Sequence, residues 1–280
     1  MPDDALIDGR LESAGWLDER GFQFGDGLFE TLMVRDGRAC LWDAHMGRLA
    51  LGCERLGLPQ PDTALLAAEA DRLCSGRSTA VLKLYWTAGR SARGYRRPEA
   101  VRATRVLRCS DWPYAAPSQR WRLRQCQHRL GENPGLAGIK HLNRLDQVIA
   151  RAEWSDPQID EGVMLGQDGR VVCGTMTNLF VQSGSTLRTP PVDGAGIAGV
   201  VRGLALAIAQ RDRHALVESP VNRAELLGAD AVYLTNSLIG VVRVARFEDV
   251  EYDPAVAEHP LMSETRRLCH GGAAEDGNGG

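Results

Sequence analysis

Of the 33 basic residues in this sequence only Lys83 and Lys140 are lysines; the rest are arginines. Arginine keeps its proton in proteins, whereas a lysine that is desolvated or set among other cations can lose it and become a nucleophile. Lys140 lies in the segment LAGIKHLNRL, an apolar setting with His141 and Arg144 close by. Those two cations are expected to push its pKa down. The same spacing also suits a solvated lysine at the start of a helix. The cysteines offer less chemistry. They number seven, are scattered, and form no CxxC pair, so neither a disulfide framework nor a structural zinc site is expected. A reducing cytoplasm suits such a chain best.

The elements that must position Lys140 can be read from periodicity and turn residues. LFETLMVRDGRACLW, residues 28–42, holds two β-forming runs around Asp36-Gly37, a dipeptide that accepts the positive φ angles of a tight hairpin. Asp43 is expected to cap a helix whose buried face is Met46, Leu49, Ala50, Cys53 and Leu56, ending near Gly57 and Pro59. A second helix is expected over 62–75 and strands over 79–88 and 101–110. WPYAAPS, 112–118, is a proline-bearing connection and marks a domain boundary. Further strands are expected at 120–128, at 161–166 and 170–173 around Gln167-Asp168-Gly169, and as a pair within NLFVQSGSTLRTP. A glycine-started helix follows over 196–211, and DAVYLTNSLIGVVRVARF supplies two late strands. Strands and helices without regular βαβ alternation predict an α+β fold. The expected division is an N-terminal domain at 1–115, a C-terminal domain at 120–270, and a polar, glycine-rich tail at 271–280 with too little apolar surface to order.

Composition narrows the function classes. A chain of 280 residues, 44% hydrophobic and 25% charged, has the make-up of a soluble globular protein large enough for two modest domains. A net charge of -3 and the lack of a basic patch interleaved with aromatics argue against nucleic acid. No apolar run is long enough to span a bilayer, and the acidic start (Met1, Pro2, Asp3, Asp4) is unlike a secretory signal.

GIKHLNRLDQVIAR resembles the lysine segment of the fold-type IV family of pyridoxal 5′-phosphate (PLP) enzymes, which includes branched-chain and D-amino-acid aminotransferases and 4-amino-4-deoxychorismate lyases. The resemblance runs along almost the whole chain. FQFGDGLFETLMVRDG is similar to the family's opening hairpin, HMGRLALGCERLGL to its first long helix, and SARGY to a glycine–arginine loop. GTMTNLF, GIAGVVRG and NSLIGV are similar to the segment after the lysine hairpin, the phosphate helix and a late strand motif. With His141, Asn143 and Arg144 as they stand, the lysine segment is more like the lyases than the aminotransferases.

The resemblance implies two domains with PLP in the cleft between them, carried by the C-terminal domain as a Schiff base on Lys140. Lys140 would then serve as general base once substrate displaces it. Arg48 matches the arginine that contacts the cofactor phosphate, although by itself it could be a solvated helix residue. Gly199, Val200 and Val201 would present backbone amides and a helix N-terminus to the same phosphate, a good anion site; Gly196 and Gly199 alone would be ordinary turn residues. Asn236 and Ser237 match a polar pair near the phosphate, or simply cap a turn. Arg93, in a glycine-flanked loop, would grip a substrate carboxylate. Cys173 departs from the pattern: relatives place there a glutamate that keeps the pyridine nitrogen protonated, and a thiol fills that role poorly. Read locally, Cys173 could equally be a small buried hydrophobe.

The activity implied is conversion of 4-amino-4-deoxychorismate to 4-aminobenzoate and pyruvate, a step toward folate, in a cytoplasmic homodimer with no metal. The rivals are an aminotransferase of D-amino or branched-chain acids and, prompted by Cys173, a PLP-binding protein without activity.

Overall fold

The computed structural model describes residues 4–7, 10–13, 15–91, 94–112 and 120–270. An N-terminal hairpin, β1 (Asp4–Ile7) and β2 (Arg10–Ser13), leads through a 3-10 turn to the short helix α1 (Arg20–Phe24). Then come β3 (Gly27–Arg35), β4 (Arg38–Ala39), α2 (Trp42–Leu56), α3 (Thr63–Cys74), β5 (Thr79–Thr87) and β6 (Thr104–Asp111). These strands form one antiparallel sheet in the order β4-β3-β5-β6. The β3–β4 hairpin turns where expected, with φ of 47° at Asp36 and 76° at Gly37. Alternation along β3 sends Leu28, Leu32 and Val34 to the helix side, where α2 contributes Met46, Leu49 and Cys53 to the same core as Leu28 and Leu84. Phe29 and Thr31 face the other way.

The second half begins with β7 (Arg120–Leu130) and α4 (Leu145–Arg151). β8 (Glu161–Gly166), β9 (Val171–Gly174), β10 (Asn178–Ser183), β11 (Thr186–Thr189), α5 (Val200–Asp212) and β12 (Leu216–Glu218) follow. The chain closes with α6 (Arg223–Leu227), β13 (Ala231–Asn236), β14 (Gly240–Phe247), β15 (Val250–Glu251) and α7 (Pro260–Cys269). A nine-stranded sheet runs β12-β11-β10-β13-β14-β7-β8-β9, with β15 on β14. Its β7 pairs parallel with both β14 and β8, so the sheet is mixed and the fold is α+β, as expected. One face is covered by α5 and α7 through Val201, Ala205, Ile208, Leu261 and Met262. No helix among the described residues is long and apolar enough to cross a membrane.

Two local expectations change. Asp43 is not the cap of α2: Leu41, at φ 52°, ends the turn and Asp43 sits in the first helical turn, where its carboxylate meets the positive end of the dipole. The helix expected from 196 starts at Val200, because Gly196 has φ of 85° and Gly199 is extended. Helices α4, α6 and α7 are not among the elements expected from the sequence, although α6 carries a start signal in the capping box of Asn222 and Glu225. The expected proline connection and C-terminal tail lie largely or wholly outside the described residues, at 113–119 and 271–280.

Candidate active site

Lys140 is positioned by strand-like pairing, and the helix after it begins only at Leu145. The Phe29 amide donates to the Lys140 carbonyl at 3.0 Å, and the Leu142 amide to the Gly27 carbonyl at 3.0 Å. The preceding side chain, Ile139, is buried in the core beneath α2. Lys140 projects instead over the Phe29 ring, its Nζ 4.3 Å from the ring centre. Burial, with help from the charges of Arg48, Arg144 and Lys83 against an opposing Glu30, lowers its pKa to about 7. His141 is not the cause that sequence suggested. Burial and Arg144 bring its own pKa down to about 4, so the ring is neutral and its Nε2 accepts from the Arg144 guanidinium.

Lys140 opens into a cavity of about 780 Å³ whose wall is drawn from both sheets. Arg48, Cys173, Gly199, Val200, Asn236 and Ser237 line it with Lys140, so most of the sequence candidates meet in one place. Val201 is fully buried behind the wall, and Arg93 lies outside the described residues.

Arg48 is held by a partner the sequence reading missed. Glu30, 1% exposed, takes the Arg48 Nε at 2.8 Å and a second guanidinium N–H, while Arg48 Nη1 donates to the Ala198 carbonyl at 3.0 Å. His45 Nδ1 lies 2.6 Å from the same carboxylate. Burial alone would raise the Glu30 pKa, but Arg48 and His45 outweigh it and hold the group at about 2. A signal was present. Glu30 falls in the core-facing register of β3 between Leu28 and Leu32, and a carboxylate there requires cations such as His45 and Arg48, one helical turn apart on α2.

At the start of α5 the Gly199 amide is already taken by Asn178 Oδ1 at 3.1 Å, and Asn178 Nδ2 donates to the Ile197 carbonyl at 2.9 Å. A Cβ on Gly199 would come within 2.1 Å of that oxygen, which is why glycine stands there. The first bond within the helix runs from the Gly203 amide to the Gly199 carbonyl, so Val200 and Val201 keep amides with no acceptor in the helix. Of the three predicted amides, two lack a helix partner, and of these the one on Val200 belongs to a residue that lines the cavity.

Asn236 Oδ1 accepts from the Leu238 and Ile239 amides at 2.9 Å each, the turn-capping alternative, and still lines the cavity. Ser237 Oγ donates to the Thr31 carbonyl at 2.6 Å and ties the β13–β14 turn to β3. Thr235, 1% exposed on the same wall, has an Oγ1 with no partner. Nothing in the sequence marked it. Cys173 is 5% exposed, and burial with the Glu161 charge raises its thiol to about 12 against a lowering by Arg144. It is therefore a neutral thiol.

PLP can be tested against this set group by group. Its phosphate fits the start of α5 at Val200, which lines the cavity together with Arg48. Its aldehyde fits a lysine that is half neutral near pH 7. The unpaired Thr235 hydroxyl is a buried polar group of the kind a polar ligand satisfies.

Comparison with known proteins agrees. The family described as Amino-transferase class IV matches residues 27–247. An aminodeoxychorismate lyase of Vibrio harveyi is 32% identical over 90% of this chain and 93% of its own. The crystal structure of 4-amino-4-deoxychorismate lyase from Pseudomonas aeruginosa superposes with a TM-score of 0.81 and 41% identity, covering 93% of this chain and 95% of that one. A D-alanine aminotransferase of Bacillus licheniformis is more distant, 26% identical over 87% of this chain and 88% of its own. A lysine set in a phosphate-competent cavity, within a fold and sequence shared over nearly the full length, makes this chain a member of the class IV aminotransferase family of PLP enzymes.

Proposed function

We propose that this chain converts 4-amino-4-deoxychorismate to 4-aminobenzoate and pyruvate. The observation that carries this reading beyond the similarity is the charge of the cavity wall. Arg48, Lys83, Lys140, Arg144 and Arg151 line it, and no aspartate or glutamate does among the described residues. That wall suits a cofactor phosphate together with a substrate bearing two carboxylates.

PLP bound here supplies an electron-withdrawing ring that engages the substrate amine and acidifies the carbon bearing it. The protein's own part is to hold and to move a proton. Arg48 and the start of α5 at Val200 anchor the phosphate end, and Glu30 keeps Arg48 aimed. Lys140, neutral once released, takes the proton from the amine-bearing ring carbon. The ring–oxygen bond then breaks, enolpyruvate leaves and gains a proton to become pyruvate, and the six-membered ring becomes aromatic. Atoms balance with no oxidant.

The two sheets are read as two domains, 1–115 and 120–270, with PLP in the cleft between them. A cytoplasmic homodimer completes the proposal. Support for the dimer is the outer face of α4, where Leu145, Val148 and Ile149 are 73%, 60% and 50% exposed.

The test is release of 4-aminobenzoate from enzymatically generated aminodeoxychorismate by the purified, PLP-loaded protein. A second reading, transamination, is favoured by the family match and by the D-alanine aminotransferase similarity, both less specific than the lyase similarity. Incubation with a panel of D-amino and branched-chain acids separates the two: conversion of bound PLP to its amine form without 4-aminobenzoate release would replace the first reading with the second.

A further inference from the structure

The same cavity makes a statement about the cofactor's ring nitrogen. Pyridine is a weak base, and it stays protonated near neutral pH only where an anion faces it. Among the described residues the buried carboxylates of Glu30 and Glu161 lie close to this cavity, and neither is available; Asp146, which acts on Arg144, is half-exposed and paired with His128. Both oxygens of Glu30 are engaged by Arg48 and His45, on the helix side of β3. Glu161 is fully buried and its two oxygens are saturated by five donors from residues 162 and 175–177. Oε1 takes the Gly162 amide at 2.9 Å, the Thr175 amide at 3.0 Å and the Thr175 hydroxyl at 2.5 Å. Oε2 takes the Met176 amide at 3.1 Å and the Thr177 hydroxyl at 3.0 Å. Glu161 braces the turn that carries Cys173 and stays out of the cavity wall.

What lines the cavity beside that turn is Cys173, its side chain also packed with Cys126, Met164 and Trp154, and Arg144 lies close enough to act on its thiol electrostatically. Among the described residues Arg144 bonds to no carboxylate, only to His141, and its Nε is buried without an acceptor. A protonated ring would bring a further positive charge into a wall that, with Lys140 taken up by the cofactor, still holds Arg48, Lys83, Arg144 and Arg151.

We propose that this cavity binds PLP with the ring nitrogen unprotonated, and that Cys173, backed by Arg144, sets this state and thereby confines the enzyme to aromatising elimination. The confinement rests on the lyase reading above; the protonation state does not. With a neutral nitrogen the ring withdraws electrons less strongly. Elimination tolerates that, because the departing enolpyruvate carries electron density away and the product gains aromaticity. Transamination has no such outlet and needs the ring to store the density until a proton returns. Cys173 is on this account a specificity-determining residue.

The test uses binding and spectroscopy, so it needs no turnover. Cofactor-free protein is titrated with PLP, with the 1-deaza analogue (CH in place of the nitrogen) and with N-methyl-PLP, whose ring charge is fixed. The deaza analogue should bind within about threefold of PLP, and the N-methyl analogue about tenfold or more weaker. In Cys173→Glu the order should invert, as the new carboxylate favours the fixed charge. Nitrogen NMR of ring-labelled PLP in the native protein should give the shift of neutral pyridine, a measurement that stands whether or not the variant folds. A pyridinium shift in the native protein, or a native preference for N-methyl-PLP, would overturn the proposal. Neutral pyridine without 4-aminobenzoate release would remove the lyase reading and leave the ring assignment intact; release with a pyridinium would do the reverse.

Discussion

Lys140 attacks an aldehyde only as the free amine, and a pKa of about 7 places that form within the neutral range. The rate at which cofactor-free protein captures PLP should therefore fall about tenfold per pH unit below 7 and level off above it. Rapid-mixing absorbance measurements across pH 5–9 read this directly; a rate still climbing at pH 9 would mean an ordinary lysine. Arg48→Ala should act twice. It removes a charge-assisted phosphate contact, weakening PLP about tenfold or more, and it removes the strongest charge acting against the Lys140 ammonium, moving the capture midpoint upward. A residue touching only the phosphate would change affinity and leave the midpoint in place. The sequence exposed Lys140 because lysine is so scarce in it, and exposed Cys173 as a departure from a pattern. Of the causes it offered for the lysine's acidity, burial and Arg144 hold and His141 does not; Arg48, more than ninety residues away in the chain, was the contribution it could not see.

The β3–α2 pair shows what an element adds to its residues. Glu30 on β3 is the fixed point against which α2 presents Arg48, so the strand aims a cation that belongs to the helix. Glu30→Gln should cost about 3–5 kcal/mol, as removal of one member of a buried ion pair does, and should also loosen PLP because Arg48 loses its brace. The pH dependence has a definite sign. A carboxyl held at about 2 when folded, against an ordinary value of 4.5, contributes stability above about pH 4.5 and loses it as pH falls toward 2. Denaturant melts between pH 2 and 5 should show that slope in the native protein and a shallower one in Glu30→Gln; equal slopes would mean that Glu30 is protonated when folded. Strands and hairpins were legible here because Asp36-Gly37 and Gln167-Asp168-Gly169 are strong turn signals between alternating runs. Helix starts were less so. Asp43 has the chemistry of a cap, yet α2 begins one residue earlier, after a left-handed Leu41. The Lys140 segment could not be seen as strand-like at all, because its pairing partner is β3, more than a hundred residues upstream.

At the scale of the molecule, the apolar outer face of α4 sits beside the cavity, with Val148 belonging to both. If a second copy covers it, Leu145→Asp with Ile149→Asp should convert a dimer to a monomer with little change in fold, since both side chains are exposed in the single chain. Sedimentation of native and variant protein checks this, and a native monomer would rule it out. The scarcity of lysine also has a practical side. Lys83, exposed at the cavity wall, and Lys140 are the whole complement of side-chain amines, on a surface whose other cations are guanidiniums. Beyond the terminal amine, an acylating reagent applied to this protein therefore finds only the two lysines of one cavity. With cofactor attached, one side-chain amine remains to be modified; without it, two. A single intact-mass spectrum after such treatment becomes a direct count of occupied sites, free of the background that a lysine-rich surface would impose.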